Sequence, residues 1–128
     1  MTSLIERFLR YVKIETTSNP DSLTVPSTIQ QKELGKLLVE ELKSINVTAF
    51  MDEMGYVYAH LAKNTQSTKS LGFVAHLDTS KDAPGKNVNP RIIKNYDGKD
   101  IVLNPSITIN PQNNKALTRV INDDIIVT

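Results

Sequence analysis

A histidine and a carboxylate stand two positions apart in the run Leu71-Gly72-Phe73-Val74-Ala75-His76-Leu77-Asp78-Thr79-Ser80. In extended backbone successive side chains alternate between faces, so His76 and Asp78 share one side and Leu77 points to the other. A carboxylate at that spacing can accept the N–H of one imidazole nitrogen. The other nitrogen is then free to donate its lone pair to a metal ion. The pattern therefore predicts metal ligation by His76, with Asp78 orienting the ring. A histidine at a strand end is more often a hydrogen-bonded structural group, so the pair alone leaves both readings open.

The remaining chemistry-bearing residues are weaker candidates. His60 falls in a segment with Tyr56 and Tyr58 and reads as a surface or half-buried side chain. Asp123-Asp124 precedes the apolar run Ile125-Ile126-Val127 and reads as a solvated turn, as do Asp82, Asp97 and Asp100 in their loops. The absence of cysteine excludes a disulfide framework and thiolate metal sites. Lys86, Asn87 and Asn89 follow the His76-Leu77-Asp78 run in a polar loop and are candidates for touching a substrate. The competing reading is that Gly85 and the asparagines satisfy unusual backbone angles and cap loop amides.

The elements that must position this pair can be read from periodicity. Ile5, Phe8, Leu9 and Val12 recur at helical spacing and predict a helix from Ser3 to Lys13. Ile14 to Leu23 is a Thr/Ser/Asn/Pro-rich loop. Ser27 with Gln30 has the pattern of a capping box, opening a second helix whose apolar face carries Ile29, Leu34, Leu37, Leu38, Leu42 and Ile45. Gly35 inside it predicts a close backbone contact, and Asn46 is a stop signal. Val47 to Met51 and Tyr56 to Leu61 read as strands joined by a turn at Glu53-Met54-Gly55. The near-continuous apolar character of Leu71 to Leu77 predicts a central strand covered on both faces. Ser80 to Arg91 reads as a long irregular loop, and Ile101–Leu103, Ile107–Ile109 and Ile125–Val127 as short strands. The fold class expected is α/β, a mixed β-sheet flanked by helices.

At 128 residues the chain is at most one domain. Hydrophobic residues at 39% and charged residues at 23% are ordinary for a globular protein. A net charge of +1 with no basic run gives no reason to expect nucleic acid or an anionic membrane as partner. No apolar run is long enough to span a bilayer. The N-terminal stretch carries Glu6, Arg7 and Arg10 and lacks the apolar core of a signal peptide. The location expected is the cytoplasm.

Ala75-His76-Leu77-Asp78-Thr79-Ser80 resembles the first metal motif of the M20 metallopeptidases. The run Gly85-Lys86-Asn87-Val88-Asn89-Pro90 resembles the members of that family that act on tripeptides. Ile5 to Val12, Val25-Pro26-Ser27-Thr28, and Asn95-Tyr96 with Gly98, Asp100 and Ile101 agree with the same resemblance. It implies an α/β catalytic domain holding two zinc ions and cleaving the N-terminal residue from short peptides. It implies His76 as a ligand to one zinc and Asp78 as the active-site carboxylate that orients it. The family's bridging aspartate, its Glu-Glu pair, a further acidic ligand and a distant histidine have no matching position before Thr128. The chain is therefore expected to be the N-terminal part of such a domain, residues 1–128, inactive alone and binding zinc weakly or not at all. A sheet cut short leaves an open edge, so self-association is also expected. The rival readings are a non-catalytic interaction module of the same fold, or another M20-type dipeptidase or deacylase.

Overall fold

The computed structural model describes residues 3–128, and the chain forms two compact units, Met1–Asn87 and Val88–Thr128. Helix α1 spans Leu4–Tyr11 and begins at Ser3 for a local reason. The Ser3 hydroxyl accepts from the Glu6 N–H at 3.2 Å, and the Glu6 carboxylate accepts from the Ser3 N–H at 2.6 Å. That reciprocal pair satisfies two of the donors a helix start leaves unpaired. The bond from the Ser3 backbone also holds the Glu6 carboxyl below the usual carboxylate range.

Helix α2 spans Gln31–Ser44 and starts later than the Ser27 cap predicts. The Ser27 hydroxyl is engaged elsewhere: it accepts from the Asn19 N–H and from the Gln31 side-chain amide, both at 3.0 Å. Residues 28–30 form a turn, with the Gln31 N–H donating to the Thr28 carbonyl at 3.3 Å. A tertiary bond to the preceding loop has displaced the local capping pattern. At the other end Asn46 takes a left-handed φ of 62°, and the Val47 N–H closes on the Leu42 carbonyl at 2.9 Å. Arg7, Arg10 and the Tyr11 hydroxyl of α1 converge on Glu41 of α2 and tie the two helices together.

Strands β1 (Thr48–Met51) and β2 (Val57–His60) pair antiparallel, with Phe50 opposite Tyr58 and Met51 opposite Val57. The turn between them places Gly55 at φ 90°, where L side chains are strained, and Asp52 accepts from the Tyr56 N–H at 2.9 Å. Alternation divides the hairpin as the sequence predicts. Phe50 and Tyr58 stack on one face with ring centroids 5.0 Å apart. Val57 and Ala59 turn to the other face and border a groove beside Leu38 and Leu42 of α2. Gly35 is buried in α2 because β1 presses on it: a Cβ there would lie 2.6 Å from the Met51 sulfur and 3.4 Å from Val57.

The segment 71–78 departs from its predicted role. It forms no strand and has no strand partner among the described residues. Leu71 and Phe73 are 81% and 91% exposed, so this is not a central strand covered on both faces. The period of two survives without the ladder: Phe73, Ala75 and Leu77 border the same groove as Val57 and Ala59. Extended conformation and alternation are local properties, whereas burial requires neighbouring strands and helices to supply the cover.

In the second unit β3 (Arg91–Ile93) pairs antiparallel with β6 (Ile125–Val127), and β4 (Ile101–Asn104) with β5 (Ile107–Ile109). The sequence placed Arg91 at the end of an irregular loop and missed β3. Its three residues are too few to show a period, and β6 defines it only by pairing. A short 3₁₀ helix covers Lys115–Arg119. Tyr96 is buried at 2% exposure, and its hydroxyl donates to the Lys99 carbonyl at 2.6 Å. Lys94 bonds Asp124 at 2.5 Å and Lys99 bonds Asp97 at 2.7 Å. The mixture of helix and strand agrees with the α/β expectation. The single mixed sheet does not: the described residues form three separate two-stranded antiparallel sheets.

Two stability outcomes follow. Gly35→Leu is expected to lower stability by about 2 kcal/mol in urea melts, since the added side chain must displace Met51 from a packed contact. The side-chain bond from Lys94, then the Asn95 N–H, holds the Asp124 carboxyl below its usual range, and Lys99 does the same for Asp97. A carboxylate lowered in the folded state stabilises above its unfolded pKa and loses that contribution as pH falls through the folded value. The melting temperature should therefore drop on acidification below about pH 4. Asp124→Asn should make that drop shallower; an unchanged profile would remove Asp124 from the acid response.

Candidate functional site

His76 and Asp78 meet as their spacing predicts. Nδ1 of His76 lies 3.0 Å from an Asp78 carboxylate oxygen. The imidazole is 83% exposed and the carboxylate 40% exposed, so the ring faces solvent and not the apolar groove. Leu77 between them borders that groove. A carboxylate accepting at Nδ1 fixes the ring proton there and leaves Nε2 as a free electron-pair donor.

The pair stands at the end of an unpaired stretch, yet its C-terminal side is fastened. Thr79 forms an isolated parallel bridge with Thr17. The Thr79 N–H donates to the Thr16 carbonyl at 3.0 Å, and the Ser18 N–H donates to the Thr79 carbonyl at 2.9 Å. The Ser18 hydroxyl donates to that same carbonyl at 3.0 Å. Sequence reading saw 14–23 only as a polar loop. Nothing local marks a contact with a residue more than sixty positions away.

The donor set is small. Among the described residues no three His, Cys, Asp or Glu side chains come together in a way that could hold a metal ion. His76 and Asp78 supply one ligand position and its orienting carboxylate, whereas zinc sites use three or four protein ligands. These residues do not fit a complete zinc site by themselves. His60 ends β2, exposed and opposite Thr48. Asp124 is engaged by Lys94 and by the Asn95 N–H at 3.1 Å, which agrees with a turn and not a ligand.

Lys86 and Asn87 are exposed on the first unit, and Asn89 is exposed on the second. Asn87 adopts a left-handed φ of 57°, as the backbone-angle reading of this loop predicts. Gly85 does not share that conformation, because the left-handed glycines are Gly55 and Gly98.

The His76–Asp78 contact is directly observable. Asp78→Ala should abolish the fixed Nδ1–H state of His76, with both ring nitrogens averaging between tautomers in long-range ¹H–¹⁵N spectra. A ring spectrum indifferent to the substitution would show that Asp78 does not orient it.

Comparison with known proteins finds close relatives, although no family model matches. The chain is 52% identical over 116 residues to peptidase T of Clostridium acetobutylicum, covering 88% of this chain and 28% of that protein. It is 56% identical over 108 residues to peptidase T of Bacillus anthracis strain CDC 684 and of Bacillus cereus strain Q1, covering 83% of this chain and 26% of each. The chain thus spans about a quarter of the length of the curated relatives it matches.

Proposed function

We propose that this chain, which belongs with the peptidase T proteins over the stretch it covers, is the N-terminal part of the catalytic domain of an M20-type, zinc-dependent aminopeptidase. In this reading the full-length protein removes the N-terminal residue from tripeptides in the cytoplasm. The observation that carries the proposal is the 3.0 Å contact between His76 and Asp78, set within a chain more than half identical to peptidase T.

The roles of the chain's own residues follow from that contact. Asp78 holds the His76 proton on Nδ1 and fixes the plane of the ring. His76 presents Nε2 to solvent as a ligand. Such carboxylate–histidine pairs set both the tautomer and the basicity of a metal ligand. Lys86 and Asn87, exposed on the loop that follows, are candidates for meeting a peptide. With one ligand position among the described residues, the 128-residue chain is expected to be inactive by itself.

A non-catalytic interaction module is the second reading. The unpaired and exposed run Leu71 to Ala75 favours it, because such a run offers backbone and apolar side chains to a partner.

The full-length protein is expected to hydrolyse tripeptides with a free amino terminus and to lose activity to a chelator. His76→Ala should lower kcat/KM by roughly 100-fold or more. The 128-residue chain should show no turnover with added zinc or cobalt. Hydrolysis by the pure short chain, or full-length activity indifferent to His76→Ala, would overturn the reading.

A further inference from the structure

We propose that Thr16, Thr17, Ser18 and Gly85 act with Thr79 as a clasp that positions the His76–Asp78 pair. The inference rests on the functional reading of that pair and adds positioning residues to it.

The need for such a device is visible in the fold. Residues 71–78 have no ladder among the described residues, so sheet hydrogen bonds do not fix the backbone that carries His76. The ordering comes one residue beyond Asp78. Both backbone polar groups of Thr79 are taken up by Thr16 and Ser18, at 3.0 and 2.9 Å. The far side of the clasp is itself held. Thr16 is buried, and the Thr28 hydroxyl donates to the Thr17 carbonyl at 2.8 Å. Fixing Thr79 fixes the neighbouring Asp78 Cα, because a trans peptide leaves only two soft dihedrals between adjacent residues. The carboxylate then fixes the ring through the 3.0 Å contact.

Gly85 closes the third side. A Cβ at this position would lie 2.4 Å from the Thr17 hydroxyl oxygen and 3.3 Å from that of Thr79. Its φ is outside the left-handed region, so close approach and not backbone freedom accounts for the glycine. The loop carrying Lys86 and Asn87 is thereby seated against Thr79, whose backbone holds Asp78, and against its bridge partner Thr17.

The test uses the 128-residue chain, whose two histidines make the His76 ring signals assignable. Gly85→Ala should speed amide exchange at Ser18 and Thr79 by roughly tenfold, the scale expected of a modest steric conflict. It should also shift the His76 ring nitrogens from the Nδ1–H state toward a tautomer mixture. Thr17→Ala combined with Gly85→Ala removes the obstructing hydroxyl and should restore both readouts. Ser18→Ala deletes only one bond to the Thr79 carbonyl and should move both readouts in the same direction by less; it decides the matter if Gly85→Ala fails to fold. Faster exchange with unchanged His76 signals would reduce the clasp to a purely structural contact and overturn the proposal. So would unchanged exchange, or failure of the double variant to restore. None of these measurements involves metal or peptide turnover. Loss of the peptidase reading and loss of the clasp therefore show themselves in different experiments.

Discussion

The contact on which the first unit's candidate site depends is a pair of backbone hydrogen bonds, not a side-chain cluster. Thr79 meets Thr16 and Ser18 across more than sixty residues of chain, as one rung of parallel pairing. N-terminal to it, back to Leu71, the chain has no strand partner among the described residues. C-terminal to it, the chain returns so that Gly85 lies against Thr17. A single rung is a small constraint, worth about 1 kcal/mol per hydrogen bond. Here it is reinforced by the Ser18 hydroxyl, by the Thr28 bond to Thr17 and by the lack of room at Gly85.

Side-chain alternation and hydrogen bonding part company in the segment before it. Phe73, Ala75 and Leu77 keep the alternation of a strand and turn toward the groove lined by Val57, Ala59, Leu38 and Leu42. Apolar contact is non-directional and tolerates this loose arrangement. Backbone donors and acceptors are directional and find no strand partner among the described residues there, so the segment remains open to solvent. That openness keeps the His76 ring accessible while leaving an apolar run exposed.

The second unit is held differently. Its buried side chains are Tyr96 and Ile101, and its turns are closed by exposed ion pairs, Lys94–Asp124 and Lys99–Asp97. Exposed pairs contribute little each. The Tyr96 hydroxyl, donating to the Lys99 carbonyl, keeps the one large buried polar group satisfied. The backbone links Tyr96 to Asn122 and Asp123 at 2.8 and 2.9 Å and extends the β3–β6 pairing beyond its named ends.

Local physics was legible in the sequence. The helix start at Ser3, the stop at Asn46, the turn at Gly55 and the two faces of β2 all follow from residue types within a few positions of one another. So does the His76–Asp78 contact, since period-two geometry places i and i+2 together in any extended chain. Ser27 was misjudged because a bond to Asn19, eight residues away, outcompeted its capping role. The strand identity of Arg91–Ile93, the seating of Gly85 on Thr17 and the capture of Thr79 by Thr16 and Ser18 were decided only by tertiary structure. Each depends on groups brought together from distant parts of the chain, and hydrogen-bond partners at such separations leave no periodic trace in the residues that make them.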